Sequence, residues 1–227
     1  MGSRQSPPRR NRAEHRAEME ETILVTAEHR LAQDGATGLG LRSIARDIGM
    51  APSAIYRYFD GIDALLTALI IRAYRDQAAE VRSGLEEVSV PAGASATERA
   101  VEEIVTMLVA ARRWAVANPH RYALIYGSPV PGYTAPADTI APASGVGELI
   151  IDSLSRALRP EGPRLKLADL TEETIGFWAQ SYGMISFELF GHFAGTGVDP
   201  ESLFLRSVRE GVIRVLAGYG RADASVD

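Results

Sequence analysis

Four histidines, at positions 15, 29, 120 and 192, are the residues of this 227-residue chain best suited to acid–base or metal chemistry. Their spacing supports neither, since no two fall in a His-x-x-x-His register. There is no cysteine, which removes thiol nucleophiles, zinc–thiolate centres and disulfide scaffolds. No G-x-S-x-G run occurs, and Gly35-Ala36-Thr37-Gly38-Leu39-Gly40 has the wrong spacing and context for a dinucleotide-binding loop. Glu188 and His192 stand four apart and could polarise an imidazole, but such a pair is more often a helix-surface pair. The inventory points away from an enzyme, and no metal or cofactor is expected.

The richer segment is Leu41 to Phe59, LRSIARDIGMAPSAIYRYF. Leu41, Ile44, Ala45 and Ile48 repeat at the spacing of one helix face over two turns. Gly49 stops that helix, because glycine adopts a left-handed terminal conformation at little cost. Pro52 suits the first turn of a second helix, where its missing N–H is not needed. That helix is expected to run to about Tyr58, with Ile55 and Phe59 inward and Ser53, Ala54, Arg57 and Tyr58 outward. Two short helices around a tight turn form a helix-turn-helix layout. Small residues at the start of the second allow close approach to base edges in a major groove, and tyrosine and arginine reach phosphates. A generic pair of short helices has the same apolar spacing, so periodicity alone leaves both readings open.

The elements that must position this segment are helical throughout. Met19, Ile23, Ala27 and Leu31 form one stripe on a first helix beginning near Ala13 and ending at Gly35 and Gly38. Leu65, Leu66, Leu69 and Ala73 mark a fourth helix. Ser95-Ala96-Thr97-Glu98 is a capping-box sequence that opens a long helix to about Ala117, which Asn118-Pro119 breaks. Gly127 to Gly147 holds four prolines and four glycines and reads as a long loop. Val146, Leu149, Ile150, Leu154 and Leu158 restore helical spacing. Asp169 to about Phe193 and Asp199 to near Gly218 complete the chain. The expected fold is all-α, about nine helices, with no strand and no repeat. The apolar run Ala64 to Ile71 is far short of the ~20 residues that span a membrane. No apolar segment follows Arg9, Arg10 and Arg12, so no secretory signal is read and a cytoplasmic location is expected.

Charge is unevenly placed around a net of −5. Residues 1–83 hold 12 Arg against 11 Asp and Glu, whereas residues 84–227 hold 12 Arg and Lys against 18. Within residues 1–16 there are five Arg against Glu14. The acidity therefore belongs to the C-terminal two thirds, and residues 1–12 form a basic arm, either a solvated tail or a phosphate-contacting segment.

The residues say more than their spacing. Ile44-Ala45-Arg46-Asp47-Ile48-Gly49-Met50, then Ala54-Ile55-Tyr56-Arg57-Tyr58-Phe59, then Leu65-Leu66 closely resemble the TetR family of transcriptional regulators, over about residues 14–70. The resemblance implies a three-helix DNA-binding domain over 13–60. A helical ligand-binding and dimerisation domain over 61–220 and a tail over 221–227 complete the division. Transferred residue by residue, it places Arg42, Ser53, Tyr56 and Tyr58 on DNA, with Arg57, and with Ala51 and Ala54 lining the approach. It implies double-stranded operator DNA, a small-molecule effector and a second copy of the chain as partners, with repression as the family default. Three positions depart from the family pattern. Ala51 stands where a capping Ser or Thr is common, Ile62 replaces a phosphate-binding Lys, and Gly40 stands where Ser or Thr is frequent. The basic arm and Arg42 are therefore expected to carry more of the phosphate neutralisation.

Two C-terminal stretches, Asn118 to Tyr126 with Pro131-Gly132-Tyr133, and Trp178 to Gly183, resemble the family's WHG-type domain. Tyr182 stands where that pattern has histidine. Trp114, His120, Tyr122, Tyr126, Trp178 and Tyr182 are the candidate ligand residues, with Gln180 as a further orienting group. For any single aromatic a core or dimer contact is the commoner role. Gly183, inside a long helix, could serve either close helix packing or pocket space. The wide apolar faces of the last two long helices suggest a homodimer through a four-helix interface.

Overall fold

The computed structural model describes residues 12–223. The residues expected to form most of the basic arm, and the end of the tail, lie outside the described residues. Among the described residues the fold is entirely helical, with nine α-helices and no strand. The chain divides into two compact units. One comprises Met1–Ile70 with Pro129–Ala135, the other Ile71–Ser128 with Pro136–Asp227.

The first unit holds α1 (Arg12–Asp34), α2 (Leu41–Asp47), a 3₁₀ turn (Ile55–Arg57) and the start of α3 (Ile62–Glu86). The α1 stripe is buried at Ile23, Ala27 and Leu31, and α2 buries Leu41, Ile44 and Ala45. Ile55, Phe59, Leu65, Leu66 and Leu69 complete this core. Fully burying each of the larger side chains contributes about 1.5–3 kcal/mol. Gly49 ends α2 at φ 68°, a conformation that a side chain would strain. One ion pair ties α1 to α2, and a second lies within α1. Arg30 of α1 grips both carboxylate oxygens of Asp47 at the end of α2 (2.5 and 2.9 Å) and lies 3.7 Å from Asp34.

The second motif helix differs from expectation. Residues 52–54 form a turn and Ile55–Arg57 a 3₁₀ turn, so no regular α-helix reaches Tyr58. The bonds Ala54 N to Ala51 O, Arg57 N to Ala54 O and Tyr58 N to Ile55 O all span three residues. The segment is too short to repay helix nucleation, and Ala51 offers no side-chain oxygen to cap it.

In the second unit, α4 (Ala96–Ala117) is the central helix, packed against α5 (Pro119–Tyr126), α7 (Gly145–Leu158), α8 (Glu172–Leu189) and α9 (Pro200–Asp223). Ile104, Met107, Leu108, Trp114, Tyr122, Leu154, Ile185, Phe204, Val208 and Val212 form one buried cluster with Ala73, Ala78 and Val81 of α3. The capping box at Ser95 is fully formed. Glu98 N–H donates to Ser95 Oγ at 3.2 Å, and Ser95 N–H donates to Glu98 Oε2 at 2.8 Å. The expected loop Gly127 to Gly147 is shorter than the sequence suggests. Ala137–Thr139 is a 3₁₀ turn and α6 (Ile140–Ala143) a helical turn, because Pro142 falls in a first turn where its missing N–H costs nothing. Helix α8 starts at Glu172 rather than Asp169, capped by the Thr171 hydroxyl. Helix α9 runs past Gly218 to Asp223. Gly218 does not end it. A Cβ there would lie 2.5 Å from Glu173 Oε2, the mobile end of a side chain from α8. At Gly211 a Cβ would lie 2.4 Å from the Phe177 ring, so this glycine allows close approach of α8.

Candidate nucleic-acid interface and effector region

The second motif segment, residues 51–59 and termed the reading segment for the role its resemblance implies, is two-faced. Ile55 is 0% exposed and Phe59 8%, whereas Tyr56 is 43% exposed and Ser53 and Arg57 are also outward. Ala54 and Tyr58 are half-buried. Arg42, in the first turn of α2, is exposed, as are Arg46 and Ala51. The arrangement offers hydroxyls and guanidinium groups on a surface with small residues between them. Such a surface suits phosphate oxygens and base edges.

Arg16, on α1, is in the sequence one more charge of the basic N-terminus; in the fold it has a specific place. Its Nη1 donates to the backbone carbonyl of Arg57 at 3.0 Å, its guanidinium carbon lies 5.5 Å from the centre of the Tyr58 ring, and its Nε lies 2.8 Å from Glu20. A signal for this is present in the sequence. Arg16 stands three residues before Met19 and seven before Ile23, on the α1 face that carries the buried stripe. Asp47 also does more than solubilise α2. The hydrogen bonds from Arg30 hold its carboxyl below the usual carboxylate range.

In the second unit, aromatic side chains from three helices meet. Tyr74 of α3 packs edge-on to Tyr126 of α5 at 5.9 Å between ring centres. Tyr126 also lies 5.0 Å from Tyr122 and 4.6 Å from Tyr182, and Trp178 stacks on Tyr182 at 4.6 Å. Tyr122 donates to the Tyr182 carbonyl at 3.0 Å and shares a 2.8 Å bond with Ser186, while Tyr126 donates to Gln77 Oε1 at 3.1 Å. Burial pushes the hydroxyls of Tyr74, Tyr122, Tyr126 and Tyr182 up, so all four stay neutral near pH 7. Two polar atoms in this cluster are buried without a hydrogen-bond partner among the described residues, Gln77 Nε2 and the Tyr182 hydroxyl. The Tyr126 and Tyr182 rings lie 4.6 Å apart, and their hydroxyls influence each other's titration.

Trp178 also lines a cavity of about 290 Å³ beside α7 and α8. Its walls are Ile150, Ile151, Leu154, Leu167, Leu170, Ile175 and Phe177, with Ser144, Glu148 and Thr174 as the polar groups. Of the six expected ligand residues, Tyr122, Tyr126, Trp178 and Tyr182 are gathered, and only Trp178 touches this cavity. Trp114 is buried on α4 and joins none of the ring contacts among the described residues, and His120 is half-buried in the first turn of α5. Gln180 is exposed. Sequence reasoning misses Tyr74 and Gln77. Their signal is a polar Gln on the α3 stripe that runs through Ile70, Ala73 and Val81.

Other candidates resolve differently. Glu188 does not face His192 chemistry. Arg112 holds both its oxygens at 2.6 and 2.7 Å, and His192 packs against the Phe187 ring at 4.9 Å. Among the described residues, no three His, Asp or Glu side chains cluster as metal ligands would. No described helix is long and apolar enough to cross a membrane.

Comparison with known proteins places both regions. Residues 23–69 match the family model for bacterial regulatory proteins of the tetR family, and residues 104–210 match the tetracyclin repressor-like C-terminal domain. The first span contains all six candidate DNA residues, and the second contains both C-terminal stretches read as a resemblance. The HTH-type transcriptional regulator Rv1816 of Mycobacterium tuberculosis is 34% identical over 233 residues, covering 92% of this chain and 96% of that one. Regulator Mb1846 of Mycobacterium bovis matches with the same figures. The crystal structure of SCO4313 superposes with a TM-score of 0.72 at 32% identity, over 88% of this chain and 98% of the other. The TetR family transcriptional regulator PfmR from Thermus thermophilus shares the fold, with a TM-score of 0.55 at 15% identity over 85% and 97% of the two chains. A helix-turn-helix unit with an outward tyrosine–arginine face, a second helical unit, and relatives matched nearly end to end together establish that this chain belongs to the TetR family of DNA-binding transcriptional regulators.

Proposed function

We propose that this regulator represses transcription as a homodimer, and that a small apolar effector bound in its second unit lowers operator affinity. Arg42, Ser53, Ala54, Tyr56, Arg57 and Tyr58 form the face that meets double-stranded operator DNA. The observation that carries this reading is the split of the reading segment, with Ile55 and Phe59 inward and Tyr56, Ser53 and Arg57 outward. A symmetric pair of such faces reads half-sites about one duplex turn apart, roughly 34–36 Å.

Dimerisation is supported by the outer face of α8. Ile175, Gly176, Ala179, Gln180, Gly183 and Phe187 share that face at helical spacing and are all exposed. A Cβ on Gly176 or Gly183 would meet nothing within 4 Å in this chain, so neither glycine serves packing inside it. Leu205 and Ile213 are exposed on α9. Small and apolar residues of this kind allow helices of a second copy to approach closely.

The effector region combines an apolar cavity against Trp178 with neutral tyrosine hydroxyls behind it. That chemistry suits an uncharged, flat or aliphatic molecule carrying few polar groups. Coupling requires that the effector bind one arrangement of the helices better than the other. Helix α3 is the natural carrier, since it begins after Asp60-Gly61 and continues unbroken to Tyr74 and Gln77.

The test uses the full chain and a fluorescent duplex selected from a random-sequence pool. Sizing by analytical ultracentrifugation should give a dimer, and the selected duplex should contain two related half-sites. The neutral fluorophore N-phenyl-1-naphthylamine should brighten on binding, one per chain, and weaken duplex binding as it saturates. A monomer with a single half-site contradicts the dimer reading. Fluorophore binding that leaves duplex affinity unchanged contradicts the coupling.

A further inference from the structure

Arg16 differs from the other arginines around the reading segment. Arg42 and Arg46 lie exposed on α2. Arg16 reaches from α1 to the end of the reading segment, where it meets two consecutive residues: the carbonyl of Arg57 at 3.0 Å and the ring of Tyr58 at 5.5 Å. Glu20, one turn along α1, holds its Nε at 2.8 Å and so fixes the plane of the guanidinium. A planar fork that donates on one edge and stacks on its face is a task for arginine rather than lysine.

The segment it touches needs an external hold. Apart from Phe59 N–H to the Ile55 carbonyl, its bonds span three residues; it carries no side-chain cap, and it lasts about one turn. A 3₁₀ turn of this length has little stability of its own. Ile55 and Phe59 anchor its inner side, and Arg16 holds the carbonyl and the ring that lie between them.

Resting on the DNA-contacting face proposed above, we propose that Arg16 is a positioning residue for DNA reading. It fixes the end of the reading turn so that Tyr56, Arg57 and Tyr58 keep one orientation, and it does not act by neutralising a phosphate. Arg16 lies ahead of the residues matched by the family's DNA-binding model, which begin at 23. The assignment therefore rests on this chain's own contacts.

A positioning role and a phosphate contact give opposite salt behaviour. Each phosphate neutralised adds about 0.9 to the slope of log affinity against log salt. The experiment compares wild type, R16A, R16K and R42A on the selected duplex and on poly(dI-dC), across a salt series. For R16A the expected result is about a tenfold loss on the selected duplex. Its salt slope should equal that of wild type, and its affinity for poly(dI-dC) should be unchanged. R16K keeps the charge but loses the stacked fork, and should recover little of the loss. R42A serves as the contrasting phosphate contact, with a slope lower by about one on both duplexes. Wild-type affinity in R16A would overturn the proposal. So would equal losses on both duplexes with a reduced slope, or full recovery in R16K. Arg16 has a side chain 55% exposed, so folding should survive its loss. If the thermal unfolding midpoint of R16A nevertheless falls into the assay range, R16K decides the matter alone.

Discussion

Two helix starts in this molecule are built on opposite principles. Helix α4 opens with Ser95 and Glu98 capping each other's backbone and then runs for 22 residues. The reading segment opens with Ala51, has no side-chain cap, and closes after one 3₁₀ turn. The first carries its own instructions. The second takes its shape from its surroundings: Ile55 and Phe59 sunk into the core of the first unit, and Arg16 at its end. In the proposed function, the surface that meets a duplex is built from the weaker element and is held by its neighbours.

The largest effect should come from removing the anchor. Ile55→Ala leaves a cavity at a fully buried site and should cost about 2–5 kcal/mol. Leu108→Ala in α4 removes a comparable side chain, also 0% exposed. Hydrogen exchange separates the two. In the Ile55 variant the amides of residues 54–59 should lose protection ahead of the rest of the protein. In the Leu108 variant α4 should stay protected up to the reduced global stability. Equal behaviour would remove the distinction between borrowed and self-specified structure.

Caps give the next effect, and it should run in opposite directions. Ser95→Ala should destabilise by about 1 kcal/mol, because the Glu98 amide loses its acceptor. Ala51→Ser adds a side-chain oxygen at the start of the turn, where Ala54 N–H already donates to the Ala51 carbonyl, and should stabilise by no more than about 0.5 kcal/mol. Urea unfolding measures both. A stabilising effect absent at Ala51 would mean that the 3₁₀ geometry is imposed by packing alone.

The smallest effect should be electrostatic. Arg30 holds the Asp47 carboxyl below its unfolded value of about 3.9. The pair therefore contributes fully above that value and is lost as pH falls through the lower, folded value. Asp47→Asn should flatten the acid limb of stability against pH in the first unit, and the difference from wild type should shrink in high salt. A variant whose acid limb coincides with that of wild type would show the pair to be without consequence.

Much of this is legible in the residues. The stripe at Ile23, Ala27 and Leu31, the pair Ile44 and Ala45, and the anchors Ile55 and Phe59 are buried where periodicity places them, because apolar spacing reports burial directly. The Ser95 capping box is equally plain. Helix type in the reading segment is not, because the same spacing of Ile55 and Phe59 fits a regular helix or a tighter turn. Pro142 reads as a breaker, although in a first turn it breaks nothing. Gly218 reads as a stop, although α9 continues through it to Asp223, beside the end of the Glu173 side chain from another helix. The tyrosine cluster is half visible. Tyr122, Tyr126, Trp178 and Tyr182 stand out by type, whereas Tyr74 and Gln77 join them only through the fold.

In the proposed function the outward face around Tyr56 reads duplex DNA, on a segment whose fold does not depend on that face. Fluorescence anisotropy of Tyr56→Ala with the selected duplex tests it most directly. The side chain is 43% exposed, so thermal unfolding should match wild type. Affinity for the selected duplex should fall by about 5- to 150-fold, corresponding to the roughly 1–3 kcal/mol of a reading contact. Wild-type affinity, with the same preference for the selected sequence, would contradict the account.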